Sequence, residues 1–203
     1  MKKLPLVLAL LTGLVVSASG HAVMLTPEQR NALTQLDALP SRDQLNSVHA
    51  NDASLALQNL RDTAIDPADP TVQIRAIGAL PQYCGSPCDP ANEVHATLVS
   101  VVTEPRYRDS RAGTDLLVLR AGIEALGTLR VAEDIDLLIP QLAHPSRDIR
   151  AAVAHALRDL GNPLAIDALF ERYPVETVPQ VQLAIEDALN ALVSPTALSP
   201  QNP

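Results

Sequence analysis

Cys84 and Cys88 are the only thiols in this chain of 203 residues. Three residues separate them, among them Gly85 and Pro87, which suit a tight turn closed by a disulfide. So short a loop constrains little chain, which puts the stabilisation at the low end of about 2–4 kcal/mol. Two other chemistries stay open for the pair. One is a redox couple, although Cys-x3-Cys is not the Cys-x2-Cys of a thioredoxin-like helix start. The other is a metal site, although two thiolates plus His95 leave a tetrahedral site one ligand short.

The second concentration of reactive side chains is Arg106, Tyr107, Arg108 and Arg111, a local basic cluster in an acidic chain. Arg and Tyr are favoured at binding hot spots, so this stretch is a candidate partner-binding loop. The alternative is a solvated loop whose arginines pair with Glu104, Asp109 and Asp115. Little else could do catalysis. There is no Gly-x-Gly-x2-Gly, no phosphate-binding lysine loop and no Gly-x-Ser-x-Gly. The histidines lack His-x3-His spacing, and the carboxylates are scattered. These patterns imply no cofactor, no metal and a non-catalytic role.

The elements that must position these residues show themselves as a repeat. VQIRAIGAL from Val72, VLRAGIEAL from Val118, IRAAVAHAL from Ile149 and VQLAIEDAL from Val181 align without gaps. Counting the first residue as zero, positions 0, 3, 4, 7 and 8 are small or aliphatic, with Arg75 and Gly122 the two departures. That spacing is one face of an α-helix. The starts lie 46, 31 and 32 residues apart. A period near 31 accommodates two helices and two short turns. Each segment is therefore read as the second helix of a pair, with first helices at 53–62, 93–103, 131–142 and 162–172. Asn162 and Pro163 suit an N-cap and first helical position, and Pro140 should kink its helix or bring its end forward. The long first interval carries about 15 extra residues, divided between 81–90 and 103–114. Both reactive clusters fall in those insertions.

Composition agrees with closely packed helices. Hydrophobic residues make up 47% of the chain and aromatic residues 2%, so Ala, Leu, Val and Ile must fill the core. The helix pairs, with the Ile149–Leu157 pattern of Ile-Arg followed by small residues and Ala-Leu, resemble HEAT repeats of the short bacterial type, those termed PBS-lyase HEAT-like repeats. The resemblance covers roughly 51–193 and implies an all-α solenoid of about four helix pairs. It also implies that second helices line a concave groove, which would hold Arg120, Glu124, His155 and Arg158 with Glu186, Asp187 and Asn190. Such arrays often place an Asp in the turn before the second helix and an Arg after its first residue, forming a hydrogen-bonded ladder. Only Arg150 matches the Arg here, since Gln73, Leu119 and Gln182 replace it elsewhere, and His144 occupies the turn of the third pair. A continuous ladder is not expected on that basis.

The first 22 residues read as a secretory signal. Lys2 and Lys3 precede an apolar run from Leu6 to Val16 and then small residues, with cleavage after Ala22 preferred. The run is too short to span a bilayer comfortably, so no membrane span is expected after cleavage. Residues 23–50 should form an N-terminal helical cap, with Thr26 as N-cap of one helix and Ser41 with Gln44 as the capping box of another. Residues 194–203, with three prolines, should be a disordered tail. Removing the signal leaves 13 arginines against 23 acidic residues, a net charge of −10. That charge disfavours nucleic acid and anionic membranes. The expected protein is a periplasmic or secreted scaffold or adaptor for a protein or peptide, its oligomeric state open. The alternative is a redox or enzyme accessory protein that uses Cys84 and Cys88.

Overall fold

The computed structural model describes residues 25–35 and 38–193. The expected signal peptide and the expected disordered tail lie outside the described residues. Those that are described form helices and turns without strands. Two short helices lead, α1 (Pro27–Thr34) and α2 (Arg42–Ser47). Both open on a capping box. Thr26 Oγ accepts the Gln29 N–H at 3.2 Å while Gln29 Oε1 accepts the Thr26 N–H at 2.9 Å. Ser41 and Gln44 do the same at 3.2 and 2.8 Å. Each box satisfies donors that a helix start leaves orphaned.

Four helix pairs follow. The first is α3 (Ala53–Ile65) with α4 (Pro70–Ala79). The second is α5 (Glu93–Thr103) with α7 (Gly113–Leu129), and a short α6 (Pro105–Arg108) stands between them. The third pair begins with α8 (Ile135–Leu138), flanked by 3-10 turns at Ala132–Asp134 and Ile139–Ala143, and ends with α9 (Arg147–Leu160). Pro140 has the anticipated effect, because it supplies no N–H and the chain tightens to 3-10 geometry around it. The fourth is α10 (Ala165–Arg172) with α11 (Pro179–Val193). Here the sequence reading was early: Asn162 Oδ1 accepts the Leu164 N–H at 3.0 Å within a turn, and the helix starts only at Ala165.

The second helices α4, α7, α9 and α11 stack in series, each also packed on the first helix of its own pair. Register explains the core. Position 5 of the repeat is Ile77, Ile123 and Ala154, and position 8 is Leu80, Leu126 and Leu157, all buried. At the last described pair these positions become Glu186 and Leu189, which no further pair covers among the described residues. Both departures from the apolar pattern have structural reasons. At Gly122 an added Cβ would lie 2.8 Å from Val102 Cγ2, so α5 approaches α7 where a side chain cannot fit. Arg75 reaches out of α4 to the end of α1, donating through Nε to the Leu33 carbonyl at 2.8 Å and through Nη2 to those of Gln35 and Ala38. The cap is thus tied on by a charged donor that satisfies C-terminal carbonyls.

Position 12 offers a controlled contrast. Gly161 closes α9 at φ 70°, and Arg130 closes α7 at φ 57° in the same register. That left-handed conformation suits glycine and strains a side-chain-bearing residue.

Candidate functional site

A groove of ≈ 600 Å³ lies between α4 and α7. Ile74, Gly78, Ala121 and Ala125 give it a small apolar lining, with Glu124 and Leu39 also bordering it. Leu39 comes from the link between α2 and the helix before it and is 44% exposed, so an apolar side chain stands open at the groove. Arg120 and Glu124 are exposed on α7 and pair with each other at 2.7 Å. Farther along, His155 is exposed on α9, and Arg158 pairs with Asp159 at 2.8 Å and with Asp187 of α11. The candidate residues of the second helices therefore lie along the stack, most of them inside ion pairs, rather than converging on one point.

The insertion at 103–114 fits the paired-arginine alternative better than a partner-binding loop, with Arg106 on Asp115 and Arg108 on Asp109. It holds α6 and the first two residues of α7, and α6 packs on both α5 and α7. Tyr107 is buried at 5% exposure, and its hydroxyl accepts from Gln73 Nε2 at 3.0 Å. Tyr107 is therefore removed from the candidate binding surface: it is the apolar anchor that holds α6 down. The arginines are also dispersed. Residues two apart on a helix point to different sides. Arg106 stacks on the Tyr107 ring, pairs with Asp115 at 2.9 Å and lines a cavity with Ile65 and Pro67. Arg108 pairs with Asp109 at 2.9 Å and shares a different cavity with Arg111 and the Pro140–Pro145 turn. Arg111 is exposed and makes no ion pair among the described residues.

The insertion at 81–90 is a fastening. Tyr83 donates to Asn46 Oδ1 at 2.8 Å and lies under Arg42, while Gln82 donates to the Pro40 carbonyl at 2.9 Å. Cys84 and Cys88 are disulfide-bonded, with Cα atoms 5.6 Å apart. Cys88 is 4% exposed, and its N–H donates to the Leu129 carbonyl at the end of α7 at 2.8 Å. Among the described residues no cluster of His, Cys, Asp and Glu is arranged to hold a metal ion.

Polar ties join some of the turns without forming a continuous ladder, as the sequence led one to expect, and they are built from unexpected residues. Gln73 Nε2 donates to the Ala64 carbonyl as well as to Tyr107, which links the first pair to the second. Leu119 is buried and contributes nothing polar. The His144 ring lies against the backbone of Arg108 and Ser110, and its burial pushes it below the ordinary histidine range. Arg150 grips Glu176 bidentately, at 2.7 and 2.9 Å, and closes its own turn on the His144 and Pro145 carbonyls. Glu176 also accepts from Arg172 and from the Thr177 and Val178 N–H groups. Its carboxyl is pulled down to about 2, chiefly by the Arg150 hydrogen bond. Sequence reasoning missed Glu176. The signal was present, since Glu176 precedes Val181 by the same five residues that separate His144 from Ile149. It occupies the turn position where such repeats often carry an Asp.

Helix pairs whose second members stack in series define an α-solenoid. Residues 111–190, from the start of α7 into α11, match the family model for HEAT repeats, so this stretch is built of HEAT repeats. No curated protein matches it.

Proposed function

We propose that this chain is a non-catalytic scaffold or adaptor, exported to the periplasm or beyond, that holds a protein or peptide partner on the open face of its second helices. HEAT repeats generally mediate protein–protein interaction, which supports the class. The α4–α7 groove carries the finer reading, because Gly78, Ala121 and Ala125 let a partner's chain come close while Leu39 and Ile74 offer apolar contact. No helix among the described residues is long and apolar enough to cross a membrane.

Photo-crosslinkers at Ala121 and Thr128 should capture a partner that one at Glu171 does not, and Ala121→Arg, which fills the groove, should abolish capture. Equal capture from all three positions, or capture that survives Ala121→Arg, would remove the groove from the reading. Replacing Arg106, Arg108 and Arg111 together by Ala tests the inserted segment separately, and unchanged capture would exclude it. The Cys84–Cys88 bond supports a staple over a redox couple, since Cys88 is buried and bonded to α7. The Cys84→Ser/Cys88→Ser variant should keep partner capture and lose some stability. A normally folded variant that no longer captures its partner would favour the redox reading.

A further inference from the structure

We propose that His95 is a pH-operated clasp that fastens the chain after the disulfide to the start of the third helix pair. His95 sits in the first turn of α5, with its ring between two acceptors. Nδ1 is 2.8 Å from the Pro90 carbonyl and Nε2 is 2.9 Å from Asp134 Oδ1. A neutral imidazole carries one N–H and donates to one of these. The imidazolium carries two and donates to both.

The surroundings favour the charged ring. From the 3-10 turn at Ala132–Asp134, Asp134 and Glu133 face it. In the loop before α5, the Asp89 carboxylate accepts the Ala91 N–H at 2.8 Å. On α5 itself Glu93 is held by Arg61 of α3. Asp134 is 4% exposed, and its Oδ2 is buried without a hydrogen-bond partner, so this carboxylate depends on His95 for compensation. Burial alone pushes the His95 ring down, but the bonds to Asp134 and Pro90 outweigh it and the net shift is upward. Burial pushes Asp134 upward too, against the pull of His95. Both shifts have one sign: the pair holds its proton more tightly in the fold than in water. The clasp is therefore closed at low pH and opens as pH rises through the folded-state titration of His95.

What opens is defined by the covalent frame. The disulfide closes only residues 84–88, and Cys88 is pinned to Leu129 by a bond that does not titrate. Residues 89–92 lie beyond the staple, held at Pro90 by His95 and by the local turn from Asn92 N–H to the Asp89 carbonyl.

The test uses the full chain with its disulfide intact. Ring resonances of His95 are followed by NMR against pH, together with amide exchange at Ala91 and Asn92, corrected for intrinsic catalysis. The His95 midpoint should lie above that of the same ring in the denatured chain. Exchange at the two amides should rise roughly tenfold through that midpoint, while the Cys88 amide stays unchanged. His95→Gln should abolish the pH dependence and leave both amides at the fast level, and Asp134→Asn should lower the midpoint. A midpoint at or below the denatured value overturns the proposal. So does the same pH dependence in His95→Gln. Should that variant fail to fold, the wild-type and Asp134→Asn titrations still decide.

Discussion

The α7–α9 and α9–α11 junctions and the α4–α7 junction join the same kind of helix in different ways. On the C-terminal side backbones touch: an added Cβ at Gly127 would lie 2.7 Å from Ala156 Cα. Beyond it, Arg150 and Glu176 bury a bidentate ion pair between the third and fourth turns, with Glu176 wholly enclosed. On the N-terminal side the second helices leave a groove of ≈ 600 Å³. Long side chains reaching across 37 to 42 residues fasten this part, with Arg75, Gln82 and Tyr83 holding the cap. A solenoid is a sum of repeats and their nearest-neighbour interfaces, so its parts can differ in tightness without ceasing to be one array. The tight part is a scaffold, and the open part has room for a ligand.

The largest effect should come from breaking the buried pair. Glu176→Ala strands the Arg150 guanidinium and should cost about 3–5 kcal/mol in denaturant unfolding. The same carboxylate sets an acid limit. Because its folded-state value is depressed to about 2, its contribution is full above the ordinary carboxylate range and is lost as pH falls toward 2. Wild-type stability should fall through that window, and more steeply than that of Glu176→Ala.

Next are two glycines that separate the parts directly. Gly127→Ala drives a methyl group into the backbone of α9 and should lower stability by about 1–3 kcal/mol, despite better helix propensity. Gly78→Ala meets only the flexible tip of Leu39, at 3.1 Å, and should be neutral or stabilising. Equal losses at both positions would erase the proposed difference in packing. Smaller and opposite in sign is Arg130→Gly, which relieves a left-handed residue and should raise stability by up to about 1 kcal/mol. The melting temperature reports each of these.

How far the sequence could be read follows the same division. The apolar register of α4, α7, α9 and α11 was legible because each residue serves its own helix, and three-to-four spacing needs no knowledge of partners. The first helix of the third pair was legible in place, at 131–142, but not its reduction to one α turn between two 3-10 turns. The binding-loop reading of 103–114 failed for a physical reason. Arg106, Tyr107 and Arg108 look like an exposed basic patch in one dimension, yet burial of Tyr107 against Gln73, 34 residues away, turns the arginines to different sides. Glu176 was passed over as one of many surface acids, because its burial depends on Arg150 lying 26 residues earlier.

The interfaces act locally, with the cap and the last pair held by separate polar ties. Native-state hydrogen exchange on Arg75→Ala and Glu176→Ala tests this most directly. Arg75→Ala should speed exchange in α1 and α2 and leave α9 and α11 at wild-type rates, and Glu176→Ala should do the reverse. If either substitution speeds exchange at both ends alike, the molecule is one cooperative unit and the division drawn between its parts is wrong.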